Sequence, residues 1–100
     1  MRKWLSRVDI EAKRNSFLDN IDPYCDYIED GTQYRRACKL NERYSKLAKF
    51  CGDILINLEK VESELKVKGF EGKVEYCMGY FRTIINGVYR YKKVNITSPI

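Results

Sequence analysis

An all-α fold, a long antiparallel helical hairpin with a shorter N-terminal helix packed on it, is what this sequence predicts. Three observations predict it. Apolar residues recur every three or four positions, without a break, from Ala37 to Leu65. A second run of the same spacing extends from Val74 to Tyr91. A short glycine-bearing loop, Lys68-Gly-Phe-Glu-Gly-Lys73, separates the two runs, and a short loop between amphipathic helices implies antiparallel packing.

The elements follow in order. Residues 4–18 carry an uneven apolar stripe of Trp4, Leu5, Val8, Ala12, Phe17 and Leu18, which predicts a first helix. Asp22-Pro23 breaks it, because the residue before a proline is pushed out of the helical region. Residues 24–29 read as a short helical turn in an acidic stretch, and Thr32 reads as an N-cap. The seam Ala37, Leu40, Tyr44, Leu47, Cys51, Ile54, Leu58, Val61, Leu65 alternates steps of three and four and predicts one helix over 33–68. A helix of this length extends about 50 Å and needs a partner along its seam. Gly69 supplies a left-handed stop. Val74, Cys77, Phe81, Ile84, Val88 and Tyr91, widened by Met78 and Ile85, predict a second helix over 72–92. All 100 residues form a single domain or a fragment of one.

Composition bounds the functional classes. Apolar residues at 44% and charged residues at 33% suit a folded chain. No run of apolar residues is long enough to span a bilayer. There is no His, which removes imidazole acid–base chemistry and mixed Cys/His metal sites. No nucleophile elbow, phosphate-binding loop, dinucleotide fingerprint or zinc-protease motif occurs, and carboxylate pairs such as Glu62 and Glu64 read as solvated charge. No catalytic residue, metal ligand or cofactor is expected. The first residues carry positive charge without the apolar stretch of a secretory signal, which leaves retention inside the cell, another export route, or a signal outside this stretch of sequence.

The net charge of +5 permits anionic partners. Arg36, Lys39, Arg43 and Lys46 share one helix face, a candidate basic face that reads first as a solvated flank of the seam or as the partner of the acidic segment 19–30. Nucleic acid is disfavoured as a partner, because Tyr44, Phe50, Phe81 and Tyr91 are assigned to the core or its margins rather than to a stacking surface. The eight Tyr, four of them between positions 76 and 91, suit either half-buried positions or a protein interface. Asn95-Ile-Thr97 matches a glycosylation sequon.

Four cysteines occur, at 25, 38, 51 and 77, with no CxxC pair. Cys38 and Cys51 lie about 20 Å apart along one helix, too far to bridge. In the expected hairpin, Cys77 faces the neighbourhood of Leu65 and Cys51 that of Tyr91, so this pair does not bridge either. Cys51 lies on the seam and reads as a buried free thiol. Cys25–Cys38 is the candidate disulfide, with four reduced thiols as the alternative.

Phe17-Leu-Asp-Asn-Ile-Asp-Pro-Tyr-Cys25, then Ala37-Cys38-Lys-Leu, then Cys77-Met-Gly-Tyr-Phe-Arg-Thr-Ile-Ile and Tyr89, make up a pattern over residues 15–91. It resembles the amino-terminal part of the Plasmodium interspersed repeat variant antigens, the family that includes the vivax variant proteins. Cys25, Cys38 and Cys77 are the matching positions. Cys51 is additional, and Arg82-Thr83 stands where the family has a Tyr-Trp pair. The resemblance implies a helical, non-catalytic variant antigen, exported to the infected host cell or its surface, with a host-cell ligand or protein partner and a role in immune evasion. The alternative is a cytoplasmic helical scaffold or coiled-coil interaction protein. A basic nucleic-acid or lipid-surface binder ranks third.

Overall fold

The computed structural model describes residues 3–96. Two helices and a three-stranded antiparallel sheet make up these described residues: α1 (Arg7–Asp19), a 3-10 turn (Cys25–Tyr27), α2 (Gly31–Val67), β1 (Glu75–Cys77), β2 (Tyr80–Ile85) and β3 (Val88–Lys93). The all-α hairpin is therefore overturned. The long first arm exists; the second arm, expected as a helix over 72–92, is a β-meander of strand order β1-β2-β3.

Turn chemistry decides this. Asn86 and Gly87 both take positive φ, 52° and 77°, as the two central residues between β2 and β3. That is the pattern of the primed two-residue turns whose twist suits a hairpin. Met78 and Gly79, at φ 44° and 89°, do the same between β1 and β2. The residues between the turns, Tyr-Phe-Arg-Thr-Ile-Ile and Val-Tyr-Arg-Tyr, are aromatic or β-branched apart from the two arginines, and favour a pleated surface. The register runs unbroken through six pairs, Tyr80↔Lys93 to Ile85↔Val88.

α2 is the axis of the molecule. Thirty-seven residues make a rod of about 55 Å, and the described residues measure 60 × 25 × 20 Å. Asp30, rather than Thr32, caps it, its Oδ1 accepting from the Thr32 and Gln33 amides at 2.9 and 3.1 Å. At the other end Gly69 stands at φ 85°, and the Phe70 and Gly69 amides donate to the Leu65 and Lys66 carbonyls at 2.9 and 3.0 Å. This double bond closes the helix as a left-handed stop does.

α1 packs antiparallel along α2, from the Arg7–Glu62 ion pair (2.9 Å) to the stacked rings of Phe17 and Tyr44. Residues 4–6, expected in this helix, lie outside it. Leu5 pairs with Tyr76 through two backbone bonds of 2.8 Å, and Ser6 then caps α1 in a reciprocal box with Asp9. The inner face of the sheet closes the core, where Tyr76 and Phe81 meet Ile10, Ile54 and Leu58. The seam of α2 is thus covered by α1 and a sheet, and not by a second long helix.

Candidate functional site

The outer face of the sheet is built by register. Glu75 pairs with Arg82 and Arg82 with Tyr91, one row across three strands, and Ile84↔Tyr89 and Tyr80↔Lys93 flank it. Paired residues share a face in an antiparallel sheet, so all of these lie on the side away from Phe81 and Thr83, which are buried against the helices. Leu5 bridges the β1 edge with its side chain on the core side, which puts the neighbouring Trp4 on the outer side.

Arg82 organises the face. Its Nη2 donates to Glu75 Oε1 at 2.9 Å, which holds the guanidinium above its usual pKa. The guanidinium carbon sits 4.3 Å from the Trp4 ring centre and 4.7 Å from that of Tyr89. Cations are drawn to ring faces at such distances. Trp4 and Tyr91 have centroids 5.9 Å apart, Tyr89 and Tyr91 6.5 Å. Tyr89 and Tyr91 remain 48% and 59% exposed, far more than core aromatics. Trp, Tyr and Arg held rigidly at a surface are the residue types that anchor protein interfaces.

The basic face expected from the sequence is present as geometry. Arg36, Lys39, Arg43 and Lys46 are all exposed on the N-terminal half of α2. Lys46 pairs with Glu42 at 3.1 Å; among the described residues no ion pair joins the face to the acidic segment 19–30. They stand as a solvated flank of the helix, apart from the aromatic layer on the sheet.

The cysteines are brought together only in part. Cys25, on the 3-10 turn, lies beside Cys38 on the second turn of α2, and the two thiols are unbonded. Partial burial, Asp26 and Cys38 push the Cys25 thiol up, and the Cys38 contact raises Tyr34. Paired bonds between Asp22 and Asn41, 2.8 and 2.9 Å, hold this loop on the helix. Cys51 is buried and free, its pKa raised by burial. Cys77, expected on a helix facing Leu65, lies in β1. Among the described residues no group of three His, Cys, Asp or Glu side chains is placed to hold a metal ion, and no helix is long and apolar enough to cross a membrane. The sequon's Thr97 lies outside the described residues.

Sequence reading does not single out Trp4, Arg82, Tyr89 and Tyr91 as a group, and it assigns Tyr91 to the core or its margins. The signal that finds them is Asn86-Gly87 between two alternating runs. Once that turn is recognised, Arg82, Tyr89 and Tyr91 fall on one face by period two. Comparison with protein-family models, curated proteins and solved structures finds no match for this chain.

Proposed function

We propose that this chain is a non-catalytic binding protein that holds a protein partner on its sheet. The observation that carries the reading is the Trp4–Arg82–Tyr89–Tyr91 layer, stacked and tied to Glu75, with Tyr89 and Tyr91 exposed above the half-buried Trp4 and Arg82. An aromatic layer left in water is a cost that a partner removes. The test is affinity capture from extracts of the cells that make the protein, comparing the wild type with Tyr89→Ser/Tyr91→Ser. A partner retained by the wild type and by Arg36→Ala/Arg43→Ala, and lost with the tyrosine pair, is the expected result. An identical captured set for all three proteins overturns the reading.

The exported-antigen role is a special case in which the partner is a host-cell ligand. One observation favours it: Cys25 beside Cys38, ready to pair in an oxidising compartment. The helix that the resemblance places after Cys77 is a β-hairpin, so the hairpin lends this role nothing. In protein folded with glutathione disulfide, the antigen role requires two free thiols by titration, Cys51 and Cys77. Four free thiols favour the cytoplasmic scaffold.

A further inference from the structure

The two edges of the sheet are treated differently. The β1 edge is closed by Leu5, which exchanges both backbone bonds with Tyr76. Among the described residues the β3 edge is open: all six residues Val88–Lys93 are exposed, and no proline or bulge interrupts their register. In a hairpin with a two-residue loop, the pair flanking the turn, here Ile85 and Val88, is hydrogen-bonded. The alternation then leaves the N–H and C=O groups of Tyr89, Tyr91 and Lys93 directed outward from the edge.

A cleft of about 170 Å³ lies between this edge and the end of α2, floored by Leu65 and Ile85 and rimmed by Lys68, Arg90 and Lys92. Its one acid, Glu64, is already engaged by Lys92 at 3.2 Å. The strand itself carries Arg90, Lys92 and Lys93 and no acid.

We propose that β3 accepts a further strand: an extended acidic segment of a partner protein pairs along Val88–Lys93 and sets alternate side chains over the cleft, its carboxylates against Lys68 and Arg90. Strand addition takes affinity from main-chain bonds and specificity from pockets for alternate side chains, and both are present here. Charge decides the occupant. A two-fold pairing β3 with the β3 of a second copy keeps inner faces together. The two registers that align most of the strand put Arg90 opposite Arg90 or opposite Lys92, and like charges directly opposite destabilise. The inference rests on the chain being a binding protein, but it names the edge where the proposed function names the face.

The test uses a fluorescent peptide of alternating Glu and Val, its Lys-for-Glu counterpart, and a single-stranded oligothymidine. The acidic peptide binds saturably, the basic one at least about tenfold more weakly, and Lys68→Glu/Arg90→Glu weakens the acidic peptide by a similar factor. Both sites are exposed, so an unchanged circular-dichroism spectrum checks the fold. Independently of any variant, the Tyr89, Tyr91 and Lys93 amides of the wild type exchange more slowly with peptide present. No binding at about 1 mM peptide, equal binding of both peptides, unchanged exchange at the three amides, tighter binding of the oligonucleotide, or a dimer of the free chain in sedimentation each overturns the proposal. None of these touches the tyrosine-dependent capture that tests the face.

Discussion

The two halves of α2 are covalently one helix and physically two. Between Cys51 and Leu58 four side chains are buried: Cys51, Ile54, Leu55 and Leu58. Between Gly31 and Arg36 every residue is exposed, and Leu40, on the same seam, is 50% exposed. The C-terminal half lies under α1 and the sheet; the N-terminal half meets α1 at Tyr44 and is otherwise held by the Asp30 cap, the Asp22–Asn41 bonds and the contact of Cys38 with Cys25. A regular seam therefore does not make a uniformly stable helix. Stability follows the covered area, and the first turns open more readily than the rest.

The largest test of that contrast removes one leucine from each half. Leu58 is fully buried in the core cluster that includes Ile10 of α1 and Phe81 of β2, so Leu58→Ala costs about 2–5 kcal/mol and lowers the global unfolding midpoint in urea. Leu40→Ala changes stability by no more than about 0.5 kcal/mol. Equal effects at the two sites would break the comparison. Hydrogen exchange sharpens it: α2 amides between Leu55 and Val61 exchange only with global unfolding, those before Leu40 by local fraying.

The sheet that protects the C-terminal half is itself set by its turns. Gly87 stands at φ 77° with open space around it, so Gly87→Ala introduces no clash and costs about 1 kcal/mol by conformation alone. Met78 stands at φ 44° with its side chain exposed. Met78→Asn, a residue that tolerates this region, stabilises by about 0.5–1 kcal/mol. Both shifts appear in thermal unfolding of the whole chain if the sheet and the covered half of α2 melt together. A change confined to the hairpin would separate them.

These turns also mark where the sequence was legible. The seam Ala37–Leu65 places α2 within two residues at its start and one at its end, because nine consecutive positions obey a single period and Gly69 stops them. The spacing Val74, Cys77, Phe81, Ile84, Val88, Tyr91 obeys the same rule and belongs to strands. Over some twenty residues an apolar-rich strand pair satisfies a three-four count by chance, since residues on both faces are apolar. Val74 and Phe81 are buried, while Ile84, Val88 and Tyr91 are exposed. Asn86-Gly87 was the arbiter, and a helix has no use for two successive residues at positive φ. The candidate disulfide Cys25–Cys38 rests on helix geometry that removes the other pairs, and the structure places these two thiols near each other, unbonded. The aromatic layer was not legible, since it needs the strand period to exist and Leu5 to carry Trp4 onto the sheet.

Smaller effects probe the caps. Asp30→Ala removes the acceptor of the Thr32 and Gln33 amides and costs about 1 kcal/mol, felt mainly as faster exchange in the first turns of α2. The global midpoint moves less than the local protection, as the uneven cover of the helix requires.

The last prediction concerns the covered end. Asp9 accepts from the Ser6 amide and from the Ser6 hydroxyl, both at 3.1 Å, at the point where the chain leaves the sheet edge and enters α1. The backbone bond first, and the hydroxyl second, hold the Asp9 carboxyl below its usual range. A group whose folded pKa is depressed stabilises the fold above its unfolded pKa, and that contribution is lost as pH falls through the depressed value. The Asp9 carboxyl therefore titrates below the ordinary aspartate value of about 3.9 in carbon-detected NMR. Ser6→Ala moves the midpoint only part of the way back, because the larger backbone bond remains. A midpoint at the ordinary value in the wild type would show that the capping box does not form, and with it that α1 is not anchored at the Leu5–Tyr76 bridge.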